Sequence, residues 1–304
     1  MSHRFLVRRR LFAFALCLTG AAACDVVPRL FAATVQAGPA DVDVMTFNIR
    51  YADTHPPNAW PDRLPVLAEI IERRHPDVIG TQEGLYQQLM DIEARLPAYK
   101  WIGTGRDGGN NGEFMAVFYR RDRLEPLAHE NYWLSDTPDI AGSRTWGNTY
   151  PRMVTSVRFR DRLHGGEFLF VNTHLDHQVQ SARERSATLI LQRLQSTPPG
   201  LPIILVGDFN SRAQENPVYD LFTRGGAFVD TWIAAGNADT LSTYHGFLGP
   251  VGAHQTGRID WILLRGPIAP LSTEIVTDSR GSQYPSDHFP VIARVRLMPP
   301  TNGR

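Results

Sequence analysis

The 304-residue chain has only two cysteines, Cys17 and Cys24, and both fall within its first 24 residues. The remainder has no disulfide to hold it and must take its stability from a core. Without cysteine ligands, and without a His-Glu-x-x-His segment, a zinc protease site is argued against. The first 24 residues also lack any Asp or Glu. No internal repeat or low-complexity tract is present, and no Pro/Gly/Ser-rich linker divides residues 42–298. Long apolar runs are missing too: the most apolar stretch, Leu11–Cys24, is too short to be a good membrane-spanning helix.

That stretch follows Arg8, Arg9 and Arg10 and ends in small residues, the pattern of a secretory signal peptide over residues 1–24, with cleavage open between 24 and 37. Export to the periplasm or beyond the cell is therefore expected. The paired arginines hint at twin-arginine export, although that motif is incomplete. Leu18 to Cys24 resembles a degraded lipoprotein cleavage box, so a lipid anchor at Cys24 is the alternative. Residues 25–41 read as a linker and 299–304 as a tail. Removing residues 1–24 takes away four arginines and no acid, leaving 27 basic against 31 acidic side chains, a formal charge of −4. A protein that grips polyanions by charge alone is usually basic, so nucleic acid is not the favoured partner.

What remains, 42% hydrophobic and 20% charged over the whole chain, has ordinary globular composition. Runs rich in Val, Ile, Phe and Thr predict strands at 42–48, 77–82, 99–103, 114–119, 153–159, 167–173, 202–207, 259–264, 273–277 and 289–296. Helical spacing predicts helices at 62–74, 85–96 and 179–195, the last stopped by Pro198-Pro199-Gly200. Strands so numerous, with few helices, predict two packed sheets with helices outside. The stretches 53–61, 104–112, 135–151 and 233–257 read as long loops. A monomer is expected.

Four polar clusters sit at the tips of predicted strands: Phe47-Asn48, Gln82-Glu83, Gly207-Asp208-Phe209-Asn210 and Ser286-Asp287-His288. Phosphate-ester hydrolysis needs charge neutralisation, a positioned water and donors for the transferring oxygens. Hard divalent ions take carboxylate and carboxamide oxygens, which makes Glu83 and Asp208 ligand candidates with Asn48 and Asn210 beside them. His288 and His174 are candidate acid–base groups, and each needs an orienting carboxylate. Asp260 and Glu113 are the acids on offer, and spacing does not decide which acid meets which histidine. Asp176 and His177 add polar groups next to His174, and Arg152 is a candidate phosphate clamp. Trp60, Trp101, Trp133, Trp146 and Tyr244 are aromatic candidates for pocket walls, although most such residues serve the core.

In this order the Phe-Asn, Gln-Glu, Asn-Thr-His, Gly-Asp-Phe-Asn, Arg-Ile-Asp and Ser-Asp-His segments resemble the endonuclease/exonuclease/phosphatase superfamily over residues 42–296. The segments around Phe47–Arg50, Gly112–Phe114, Thr173–His177 and Tyr284–Pro290 resemble its exported bacterial members. The resemblance implies an α+β fold, a four-layer αββα sandwich of two mixed, mostly antiparallel sheets as in pancreatic deoxyribonuclease. It implies an enzyme, a phosphohydrolase using Mg2+ or Mn2+, with Ca2+ also compatible. Glu83 would be the principal metal ligand, with Asn48, Asp208, Asn210 and Asp287 at the metal. Catalysis would fall to His174, Asp208, Asn210, Asp260, His288 and Glu113. In this scheme Asp260 would polarise His288 and Glu113 would pair with His174. Asn48, Arg152, Asn172, Asp176 and His177 would meet substrate. Whether Asp208 or His288 is the base stays open, as does the number of ions. The expected activity is hydrolysis of a soluble phosphomonoester or phosphodiester. A secreted nuclease, a sphingomyelinase-type phospholipase and a non-catalytic surface-binding module are the alternatives.

Overall fold

The computed structural model describes residues 40–238, 241–251 and 257–298. The expected signal segment, all of the linker but residues 40 and 41, and the tail lie outside them. In chain order the elements are β1 (Ala40–Asn48), α1 (Trp60–Arg74), β2 (Val78–Gln82), β3 (Gly84–Leu85), α2 (Tyr86–Arg95), β4 (Tyr99–Ile102), β5 (Glu113–Phe114), β6 (Val117–Arg120), β7 (Leu124–Trp133) and β8 (Met153–Asp161). There follow β9 (Glu167–His174), α3 (Gln180–Arg193), β10 (Ile203–Asp208), α4 (Pro217–Thr223), β11 (Val229–Asp230), α5 (Thr231–Ala234), β12 (Asp260–Arg265), β13 (Ile268–Ile275) and β14 (Val291–Leu297).

Two six-stranded sheets carry the fold, ordered β13-β14-β1-β2-β6-β4 and β11-β12-β10-β9-β8-β7, with β3 and β5 as a small third pair. Both are mixed and mostly antiparallel, as expected. Alternation along the strands sorts their side chains into layers. Val42 and Val44 of β1 meet Phe168, Phe170, Ile204 and Val206 between the sheets. Met45 and Phe47 turn outward to Leu67 and Ile71 of α1 and to Leu89 and Ile92 of α2. Leu205 and Val171 turn outward to Ile190 of α3 and Phe222 of α4. Burial on both faces is why these strands read as almost continuous apolar runs. Each such buried side chain contributes roughly 2 kcal/mol relative to exposure.

The two sheets approach closely where β2 faces β9 and β10. A Cβ at Gly80 would stand 2.6 Å from Val206 and 2.8 Å from Asn172, so only glycine fits there. Asn172 donates its amide to the carbonyls of Thr81 and Ala116 at 2.8 and 2.9 Å, and its oxygen accepts from Gln82 Nε2 at 2.7 Å. The residue is wholly buried. It therefore ties one sheet to the other, which corrects its expected role as a substrate contact: its polar atoms are spent on the opposite sheet.

The structure corrects several element assignments. The run 114–119 breaks at Met115-Ala116 into β5 and β6, and 273–277 is the end of the longer β13. β7 was not expected as a strand. It is an edge strand whose middle residues are exposed, with a register shift between Pro126 and Ala128, so it lacks an apolar pattern. β3, β11, α4 and α5 are short and were also missed.

Candidate active site

Each large sheet has a single parallel pair, β1 with β2 and β9 with β10. Parallel neighbours end at the same rim, where such sheets present their ligand-binding groups. Asn48 lies opposite Gln82, which delivers Glu83 one residue later, and Asp208 lies opposite His174. Antiparallel β12 begins at this rim with Asp260 opposite Asp208, and antiparallel β14 begins just beyond His288. The topology thus gathers all four polar clusters. Arg50, Glu83 and Asn210, which follow β1, β2 and β10, all take left-handed backbone conformations with φ of 55°, 63° and 46°. Such conformations cost energy for residues other than glycine and concentrate at functional sites.

Asp208 is the hub. Its Oδ2 accepts from Asn48 Nδ2 at 3.0 Å and stands 3.5 Å from His174 Nε2 and 3.7 Å from His288 Nε2, while Oδ1 accepts from the Asn210 N–H at 2.9 Å. Burial and then Asp260 hold its carboxyl well above the usual carboxylate range, although His288 and the two amides oppose them. His288 bonds through Nδ1 to Asp260 Oδ2 at 3.0 Å. Burial disfavours its charge, but Asp260 and Asp208 outweigh burial and keep the imidazolium protonated above the usual histidine range. The expected His288–Asp260 pair is therefore formed.

The expected pair of His174 with Glu113 is not. Glu113 is taken by Arg106, whose Nη1 lies 2.7 Å from Oε2. Burial lifts its carboxyl to about 7 against the opposing pull of Arg106. His174 Nε2 meets Asn210 Nδ2 at 3.0 Å, and its Nδ1 has no hydrogen-bond partner among the described residues. Burial first, then Arg152 and Arg106, hold this ring neutral.

Glu83, His174 and Asp208 each offer a ligand atom, and these atoms lie within 4.8 Å of one another. Oxygen donors in that set suit a hard divalent ion. Asn48 enters differently from expectation. Its oxygen accepts the Arg50 N–H at 3.0 Å, and its Nδ2 donates to Glu83 and Asp208 at 3.0 Å each. It is thus a donor that holds two carboxylates together rather than an oxygen ligand. Asp287 is buried beside Arg50, with Nε to Oδ2 at 3.7 Å.

These groups open into a cavity of about 540 Å3. Arg50, Arg106 and Arg152 line it, with His177, Ile259 and the tyrosines 51, 150 and 244. Arg152 is buried and donates through Nη2 to His177 Nδ1 at 2.9 Å. Its Nε and Nη1 have no hydrogen-bond partner among the described residues. Asp176 does not line the cavity. Its Oδ1 accepts the N–H groups of Gln178 and Val179 ahead of α3, and its Oδ2 lies 3.7 Å from Arg152 Nε. Its expected substrate role therefore gives way to holding Arg152 from behind. Of the five aromatic candidates, Tyr244 reaches the cavity, while Trp60 and Trp133 are core. Arg106, Tyr51 and Tyr150 were missed. They lie in irregular segments where no periodicity or motif marks them, although Arg152, two residues from Tyr150, was a candidate.

Residues 45–288 match the sequence profile described as Endonuclease/Exonuclease/phosphatase family. An endonuclease/exonuclease/phosphatase family protein from Bacteroides thetaiotaomicron shares the fold with a TM-score of 0.79 and 32% identity, covering 86% of this chain and 99% of that one. A mannosyl-6-phosphatase from the same organism gives a TM-score of 0.78 and 32% identity over 84% of this chain and 99% of its own. Nocturnin from Drosophila melanogaster is 24% identical over 288 residues, 81% of this chain and 43% of its own length. The chain spans about half the length of the curated relatives it matches. Matching sequence, fold and rim chemistry lead to one conclusion: the chain belongs to the endonuclease/exonuclease/phosphatase family.

Proposed function

We propose that this protein is an exported, divalent-metal-dependent hydrolase of small phosphate monoesters, with sugar phosphates as the substrate class. The observation that carries the reading is Arg152, a buried guanidinium at the cavity wall whose Nη1 lacks a hydrogen-bond partner among the described residues, while Nε faces Asp176 and Nη2 bonds His177. Buried N–H groups left unpaired are costly, and a phosphate oxygen is their natural acceptor. Arg50 and Arg106 line the same cavity. Together they offer guanidinium donors to the several free oxygens of a terminal phosphate. Among the described residues Ile259 is the one aliphatic side chain in the lining, and the rest are charged or polar groups and tyrosines. Such walls suit a polyhydroxylated leaving group rather than an acyl chain. The similar Bacteroides mannosyl-6-phosphatase supports this choice. The arginine-rich, acid-free start of the chain supports export.

Glu83 and Asp208, with His174 at their side, would hold the cation, Mg2+ or Mn2+. Asp208 fits it because its carboxyl is buried beside a second acid, and one of its oxygens lies with a Glu83 oxygen in a cluster able to hold an ion. When bound, the ion neutralises charge on the phosphate. The chain's own groups do the rest. Asp208 accepts a proton from water as the water oxygen bonds to phosphorus and the ester P–O bond breaks. The His288 imidazolium, held charged by Asp260, donates to a phosphate oxygen as negative charge builds there. Asn210 donates to His174 Nε2 and fixes that ring, and the leaving oxygen takes up a proton from solvent in the cavity.

The test is phosphate release from hexose 6-phosphates and a bis-aryl phosphodiester in Mg2+ or Mn2+, for wild type and Arg152→Ala. The reading expects turnover of the monoester, with KM raised about 10- to 100-fold in the variant, the value of charged hydrogen bonds. Preference for the diester, or an unchanged KM, would refute it.

A further inference from the structure

Arg63 lies in the first turn of α1 and has no exposed surface. A buried guanidinium normally faces a carboxylate. This one bonds to backbone carbonyls instead, and all five of its N–H groups are used. Nε donates to Asn58 O at 2.8 Å. Nη1 donates to Ile49 O at 2.6 Å and Pro285 O at 2.9 Å, and Nη2 to Arg50 O at 3.2 Å and Tyr51 O at 2.9 Å. Burial pushes the guanidinium down to about 10, so it stays charged at neutral pH.

These carbonyls belong to the turns that build the site. Residues 49–51 directly follow Asn48, and the left-handed Arg50 is one of them. Pro285 directly precedes Ser286-Asp287-His288. The two turns meet again where Ser286 Oγ donates to Asn48 O at 2.6 Å. From the first turn, the Tyr51 N–H reaches Glu83 Oε2 at 3.3 Å, and the Arg50 guanidinium lies 3.6 Å from Glu83 and 3.7 Å from Asp287. The attachment of α1 to its sheet is a separate matter, carried by apolar side chains such as Leu67 and Ile71.

We propose that Arg63 is a positioning residue for the hydrolysis: it fixes the turn after β1 against the turn before β14, so that Asn48, Arg50, Asp287 and His288 converge on Glu83 and Asp208. The proposal rests on the function set out above. Lysine at this position keeps the charge but has three donors on one atom, so it cannot span five carbonyls on three segments.

The test is Arg63→Lys, assayed with hexose 6-phosphate and p-nitrophenyl phosphate well below its melting temperature. The expectation is a kcat about 100-fold lower, the scale of an about 1 Å misplacement of reacting groups. KM should change much less than kcat, because Arg106 and Arg152 stand on other segments and only Arg50 sits on the displaced turn. A lower melting temperature with wild-type kcat would overturn the proposal. If Arg63→Lys does not fold, Ser286→Ala cuts the second link between the turns. It should lower kcat with KM unchanged, and a wild-type kcat there would also overturn the proposal. A wild-type protein that releases no phosphate would refute the functional reading instead. The His288 ring resonances would then decide on Arg63. A shift in the variant supports the positioning role, and identical resonances refute it.

Discussion

His288 Nδ1 and Asp260 Oδ2 stand 3.0 Å apart, and both side chains are buried. Asp260 pairs in register with Asp208, whose Oδ2 is 3.7 Å from the other ring nitrogen. The imidazole is thus held between two carboxylates one strand apart. In the proposed reaction that arrangement would keep a proton on His288 and leave Asp208 to receive the one from water.

Asp260→Asn preserves the shape of the pair and removes its charge. It should lower kcat about 100-fold or more, the range of acid–base contributions. Asp260 is the foremost charge lifting the His288 titration, so the alkaline limb of the kcat profile should move to lower pH in the variant. A kcat–pH profile for both proteins measures this, and an unmoved limb would mean that His288 is not used as the cation.

Asn172→Ala should destabilise the fold and spare the chemistry. It strands the carbonyls of Thr81 and Ala116 and the Gln82 amide in the interior between the sheets. The loss should be about 3 kcal/mol, from unsatisfied buried polar groups together with the cavity left behind. Urea unfolding gives the stability, and KM should equal that of wild type. A raised KM at full folding would restore Asn172 as a substrate contact.

His245 gives the fold an acid-sensitive point. It is buried and stacked 3.9 Å from Phe289, and its Nδ1 accepts the Gly249 N–H at 3.1 Å. Burial, and then His288, push its titration down to about 4 from 6.5. The unfolded chain therefore takes up the proton first. The contribution is complete above pH 6.5 and is lost as pH falls from there toward 4. Between about pH 7.5 and about pH 5 the loss should be about 2 kcal/mol. His245→Gln keeps an acceptor for Gly249, so urea curves of the two proteins at both pH values isolate the term. Equal pH slopes would contradict it.

The sheets and the motif residues were legible because strand periodicity and tip chemistry are local. Met45 and Phe47 against Val42 and Val44 announce a strand buried on both faces. Asn48, Glu83, Asp208 and His288 announce a rim. Pairings through space were not legible. Glu113 and Asp260 are both acids beside strands, and only the fold shows that Arg106 claims the first and His288 the second. Asn172 stands two residues from His174 in an apparent motif, yet strand alternation directs it into the interior between the sheets while the strand end carries His174 to the rim. Arg63 gave no signal at all, because its partners are carbonyls, which every residue has. β7 was hidden for the opposite reason: an exposed edge strand needs no apolar pattern.

The most direct test of the whole account is phosphate release from a hexose 6-phosphate after exhaustive chelation and again after adding Mg2+ or Mn2+. The account predicts that chelation abolishes turnover and that either ion restores it in wild type. Asp208→Ala should stay inert under every condition. Full activity in the chelated enzyme, or a metal-restored Asp208→Ala, would contradict it.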